Sequence, residues 1–120
     1  DRSKRALMGE AAGRYSDLAI VTDDNPRAED PARIVQEVLP GLQRCLPAEG
    51  YRVIHDRKEA IAAALQAARS GDLVLIAGKG HEAEQVYCNR VIPFSDRQVA
   101  RELITATLRG RKRTDADHGK

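Results

Sequence analysis

Apolar and polar positions alternate along this 120-residue chain in blocks of two kinds. The block Leu18-Ala19-Ile20-Val21-Thr22 has no internal alternation and reads as a strand buried on both faces, the pattern of a parallel sheet. Tyr51-Arg52-Val53-Ile54-His55 and Leu73-Val74-Leu75-Ile76-Ala77 read as two further strands. Helical spacing fills the intervals. Ala6 to Tyr15 suits a short helix with Leu7, Met8, Ala11 and Ala12 on one face and Gly13 near its end. A second helix starts at Pro31, capped by Asp30, where proline's missing N–H costs nothing. Its apolar positions are Ile34, Val35, Val38, Leu39, Leu42 and Leu46, and Pro40-Gly41 predicts a kink or a restart among them. Asp56 with Glu59 forms the capping-box pattern of a third helix, whose stripe is Ala60, Ile61, Ala64, Leu65 and Ala68. Gln85 to Cys88 and Arg90 to Pro93 suit a short hairpin. Asp96 is placed to cap a last helix with Val99, Leu103, Ile104 and Leu108 on one face. Strands alternating with helices predict an α/β fold with a mostly parallel sheet flanked by helices and right-handed crossovers.

Composition narrows the class without altering the fold. With 42% hydrophobic and 32% charged residues the chain matches one soluble globular domain. No apolar run approaches the roughly 20 residues of a membrane helix, and a signal-like stretch after Arg5 breaks at Gly9-Glu10. A cytoplasmic location is expected, with no membrane partner. The net charge of +2 is concentrated in Arg109-Gly110-Arg111-Lys112-Arg113, so residues 109–120 are expected to be a basic, disordered tail. Three tyrosines, one phenylalanine and no tryptophan give little to stack on bases, and no nucleic-acid partner is expected. Cys45 and Cys88 are too few and too far apart for a metal site or a disulfide framework. The chain lacks an initiator methionine, and it is expected to be a piece of something longer.

Two polar loops follow two of the strand blocks, and neighbouring parallel strands would place them side by side where α/β sheets bind ligands. Thr22-Asp23-Asp24-Asn25-Pro26-Arg27 offers a carboxylate, an amide and a guanidinium whose fork matches a carboxylate. The same residues also read as a plain turn with an exposed arginine. In Gly78-Lys79-Gly80-His81-Glu82 the glycines let backbone N–H groups face an anion. The Walker pattern is absent, since Leu73 stands where its first glycine belongs and Gly80 follows the lysine, which excludes an autonomous nucleotide triphosphatase. Glu82 suits an ammonium group. An arginine, an asparagine, a glutamate and exposed backbone together describe a receptor for an amino acid. His81 reads as structural rather than as a base, and His55 as packing or capping.

Taken together, these loops, with Glu29-Asp30-Pro31, Lys4-Arg5-Ala6-Leu7-Met8-Gly9, Asp56-Arg57 and Phe94-Ser95-Asp96-Arg97 in the same order, resemble the C-terminal domain of the Mur ligases. The likeness spans the chain to about Leu108. It implies a Rossmann-like α/β domain over residues 1–108, lacking the family's first strand. By analogy with diaminopimelate-adding members, Asp24, Asn25 and Arg27 belong to the substrate-binding motif. Asn25 and Arg27 would bind the far carboxylate of meso-diaminopimelate, and Gly78 and Glu82 that end's carboxylate and ammonium. A further family arginine would fall just before Asp1. The resemblance implies an intact enzyme that uses ATP and Mg2+ to form an acyl phosphate on UDP-N-acetylmuramoyl-dipeptide, held by other domains. No catalytic residue, metal ligand or bound cofactor is expected in this piece, which alone would be inactive. A stand-alone amino-acid-binding module, or a relative adding lysine or another amino acid, are the alternative expectations.

Overall fold

A computed structural model describes the backbone of residues 2–118 and the side chains of residues 2–110. Helix α1 (Arg5–Tyr15) leads into strand β1 (Ala19–Val21), helix α2 (Pro31–Cys45), strand β2 (Tyr51–Val53) and helix α3 (Arg57–Ala67). A hairpin of β3 (Glu84–Tyr87) and β4 (Arg90–Pro93) follows, and then helix α4 (Asp96–His118). Strands β1 and β2 pair in parallel, Ala19 opposite Tyr51 and Val21 opposite Val53. The pairing outlasts the strands, because Ile54 N donates to Val21 O at 2.9 Å and Asp23 N to His55 O at 3.3 Å. The predicted α/β class with a parallel pair flanked by helices is therefore observed. Ala19, Val35, Leu42, Ala60 and Ile61 form the buried core between strands and helices. Among the described residues, no helix is long and apolar enough to cross a membrane.

Four local expectations are revised. Leu73–Ala77 joins no ladder among the described residues, and Leu73 and Leu75 are 92% and 83% exposed. A strand exists only as a member of a sheet, and among the described residues no backbone–backbone hydrogen bond reaches this block. Helix α1 turns the opposite face inward. Gly9 and Gly13 are buried, while Leu7, Met8, Ala11 and Ala12 are exposed. The cause is close backbone approach. A Cβ on Gly9 would stand 2.1 Å from the Val38 carbonyl oxygen, and one on Gly41 would stand 2.1 Å from that of Ala6. That contact also explains why Pro40-Gly41 does not break α2, which runs unbroken from Pro31 to Cys45. Packing against α1 outweighs the one hydrogen bond that Pro40 cannot donate. Finally, Ser95 rather than Asp96 caps α4, its Oγ accepting from Gln98 N at 3.3 Å, because the Asp96 carboxylate is engaged elsewhere. Helix α4 runs from Asp96 to His118.

The helix caps at Asp30 and Asp56 and the hairpin form as the sequence predicts. Asp30 Oδ1 accepts from Ala32 N and Asp56 Oδ1 from Glu59 N, both at 3.0 Å. The hairpin pairs Tyr87 with Arg90 and Glu84 with Pro93. Charge supports the α1–α2 contact. Arg5 donates to both carboxylate oxygens of Glu29, at 2.9 and 2.7 Å, and to Glu37 at 2.8 Å. Hydrogen bonds from Arg2 and Arg5 hold the Glu37 carboxyl down at about 2.

The glycine contact yields a prediction. Gly41→Ala gains helix propensity worth about 1 kcal/mol, yet its methyl would meet backbone at Ala6, Gly9 and Glu10. Overpacking against backbone that cannot yield should win, for a net loss of about 2 kcal/mol in denaturant unfolding. Gly110→Ala, with nothing within 4 Å of its Cβ, should not destabilise the protein.

Candidate functional site

The two polar loops meet at the carboxyl end of β1. Their junction is built on Arg57, the first residue of α3 and only 3% exposed. Its Nε and Nη2 donate to the two carboxylate oxygens of Asp96, both at 2.7 Å. The same guanidinium donates to the carbonyls of Asp23 and Ala77, each at 3.1 Å. One planar group thus ties the end of β1, the entrance to the glycine loop and the start of α4 to α3. Burial works against its charge, but the hydrogen bonds and charge of Asp96 outweigh that cost and raise its pKa.

Asp23 is buried and accepts from Tyr87 Oη at 3.2 Å, and its other oxygen lies 2.7 Å from His55 Nδ1. Burial, then the charge of Asp23, push the Tyr87 hydroxyl up. Gln85 Nε2 adds a bond to the Asp23 carbonyl at 3.2 Å. His55, expected to pack or to cap α3, does neither and stands exposed beside the Asp23 carboxylate. The hairpin docks by main chain as well, because Arg27 N donates to Val86 O at 2.9 Å and Arg27 bridges to Tyr87 in parallel fashion.

Each residue singled out in the loops can now be placed. Asn25 is central. Its Oδ1 accepts from Val86 N at 2.7 Å and from Lys79 Nζ at 3.2 Å, and its Nδ2 donates to Glu82 Oε2 at 2.8 Å. Glu82 is exposed. Arg27 is exposed at φ 56°, a left-handed conformation that costs a non-glycine residue about 1–2 kcal/mol. Among the described residues, nothing pairs with its guanidinium. Asn25, Arg27 and Glu82 line an open groove of about 360 Å³ with Ala83, Glu84 and Val86. Asp24 and Gly78 do not line it. Asp24 Oδ1 instead lies 3.4 Å from Lys79 Nζ. Gly78 adopts φ 112°, and a Cβ there would stand 3.1 Å from Asp24 Oδ2. His81 is exposed.

A larger groove of about 530 Å³ runs along Arg2, Ser3, Ala6, Gln36, Glu37 and Pro40, but its Arg2 and Glu37 are already paired at 2.8 Å. The loop groove is different, with a free guanidinium beside an exposed carboxylate. That pairing suits a zwitterion, the guanidinium taking a carboxylate and Glu82 an ammonium. Sequence reasoning missed Lys79, Arg57 and the hairpin's part in the site. A lysine between two glycines looks exposed, and nothing local announces that Arg57 points inward.

The pair beneath the loops is testable. Arg57→Met leaves Asp96 buried and unpaired, and should cost about 3–5 kcal/mol in urea unfolding. A loss below about 1 kcal/mol, the scale of an exposed pair, would mean that the pair does not support the site.

Comparison with known proteins follows the same lines. A profile described as "Mur ligase, glutamate ligase domain" matches residues 1–80. The chain is 51% identical over 109 residues to the UDP-N-acetylmuramoyl-L-alanyl-D-glutamate–2,6-diaminopimelate ligase of Syntrophomonas wolfei, covering 91% of this chain and 22% of that protein. It is 50% identical over 105 residues to the ligase of the same name from Geobacillus thermodenitrificans, covering 87% and 21%. A solved structure of a ligase of that name superposes with a TM-score of 0.74 at 38% identity, over 89% of this chain and 22% of the other. The chain spans about a fifth of the length of these relatives.

Proposed function

The chain belongs to the Mur ligase family through its glutamate ligase domain, and on that premise we propose that it positions the incoming amino acid in a meso-diaminopimelate-adding ligase of peptidoglycan synthesis. The full-length protein would join meso-diaminopimelate to UDP-N-acetylmuramoyl-L-alanyl-D-glutamate in the cytoplasm, with residues 1–108 as the amino-acid-binding domain. The observation that carries this reading is the strained, unpaired Arg27 beside the Asn25–Glu82 pair in one groove.

In this reading Arg27 takes the far carboxylate of meso-diaminopimelate through its two-pronged fork, and Glu82 takes the ammonium on the same carbon. Asn25 holds Glu82 in place and presents an amide edge to the groove. Gly78 supplies backbone rather than a side chain, and Asp24 stands behind it against Lys79. L-Lysine lacks the far carboxylate and would leave Arg27 unpaired. Fixing the far end aims the other amine at its target, an orientation effect that can supply several kcal/mol of the barrier.

ATP and Mg2+ supply carboxylate activation in the full-length enzyme, and this chain's residues are a poor match to either. Lys79 Nζ is turned inward to Asn25, Glu84 and Asp24, so the glycine loop presents no cation to a phosphate. Among the described residues, no cluster of three or more metal-ligating side chains forms. The family assignment is what supports placing both in the remainder of the enzyme. The exposed, unpaired block Leu73–Ala77 supports the further proposal that a family strand outside this chain completes the sheet beside it.

Steady-state kinetics on the full-length enzyme test the assignment. Arg27→Lys should raise KM for meso-diaminopimelate about tenfold or more, the scale of a lost charged hydrogen bond, while KM for ATP stays put. Unchanged diaminopimelate kinetics would remove Arg27 from the receptor.

A further inference from the structure

Lys79 lies in the middle of the glycine loop, yet its side chain is completely buried. Its ammonium donates to Asn25 Oδ1 at 3.2 Å and to the Glu84 carbonyl, and sits 3.4 Å from Asp24 Oδ1. The first two are hydrogen bonds, while Asp24 Oδ1, buried and without a hydrogen-bond partner among the described residues, contributes its charge. A buried cation is costly unless paired, and this one faces the single carboxylate of Asp24 among otherwise neutral acceptors.

The consequence falls on Asn25. A side-chain amide has an acceptor end and a donor end, and either can face inward. Here the inward end meets two donors, Val86 N–H at 2.7 Å and Lys79 Nζ at 3.2 Å. Turned over, the amide would set its own N–H groups against both and lose both bonds. The NH2 end must therefore face Glu82, 2.8 Å away. Val86 N–H alone would leave one bond holding the amide; the ammonium makes the choice a charged one.

Resting on the receptor reading above, we infer that Lys79 is a positioning residue. It sets the polarity of the Asn25 amide and, through it, the orientation of the Glu82 carboxylate that receives the ammonium of the amino acid. Lys79 touches neither substrate nor groove. Its effect passes through Asn25, and so it should vanish when that amide is absent.

A double-mutant cycle in the full-length enzyme tests this. Lys79→Met keeps the length of the side chain and removes the charge. It should raise KM for meso-diaminopimelate about tenfold, as expected for one charged hydrogen bond, with kcat and KM for ATP little changed. In an Asn25→Ala background the same substitution should change KM for meso-diaminopimelate less than about twofold. Equal factors in both backgrounds, or no effect in either, would overturn the inference. If Lys79→Met does not fold, the cycle is run with Lys79→Leu, which likewise removes both the charge and the N–H donor to Asn25. Non-additivity is again the supporting result and additivity the contrary one. Should Asn25→Ala alone leave KM for meso-diaminopimelate unchanged, the receptor reading itself fails, a result distinct from additivity.

Discussion

The site depends on one buried guanidinium. Arg57 binds Asp96 with both prongs and spends its remaining hydrogen bonds on two backbone carbonyls, one from each polar loop. Main-chain bonds hold the first loop at both ends, from Asp23 N to His55 O and from Arg27 N to Val86 O. The block Leu73–Ala77 that leads into the second loop joins no ladder among the described residues. At their base the two loops are tied through this one side chain, itself fixed by the first residue of α4. This arrangement places an exposed arginine and an exposed glutamate in one groove, while the charges that hold them stay buried.

The molecule divides its polar groups accordingly. Buried charges, those of Arg57, Asp96, Asp23 and Lys79, are paired and positional. The charges left exposed in the groove are the ones with chemistry available. Arg27 bears a strained backbone to stand there, and the strain is offset by its main-chain bond to Val86. The hairpin is thus a third wall of the site, supplying Val86 N–H to Asn25 and Tyr87 Oη to Asp23.

Much of this was legible in the sequence, and the exceptions have physical reasons. Caps at Asp30 and Asp56, the helices, the parallel pair and the hairpin follow from local patterns of one to four residues, which the fold leaves intact. The buried face of α1 did not follow, because hydrophobic periodicity assumes that large apolar residues face inward, whereas Gly9 and Gly41 let two backbones touch. Pro40 misled for the same reason. The block Leu73–Ala77 carries strand character that only a neighbouring strand can express. At the site, Asn25, Arg27 and Glu82 were readable as exposed chemistry after strand blocks. Lys79, Arg57 and Tyr87 were not, since burial of a polar side chain is decided by partners 20 to 64 residues away.

The central claim is that the loops after β1 and after Ala77 form one receptor for an amino acid with a carboxylate and an ammonium at its far end. The most direct measurement is an NMR titration of the full-length enzyme with meso-diaminopimelate and, separately, L-lysine, following the backbone amides of Asn25, Arg27, Gly78 and Glu82. The account predicts saturable shifts of these four amides with meso-diaminopimelate and much smaller ones with L-lysine. Binding of meso-diaminopimelate that leaves all four unmoved while shifting amides elsewhere would contradict it.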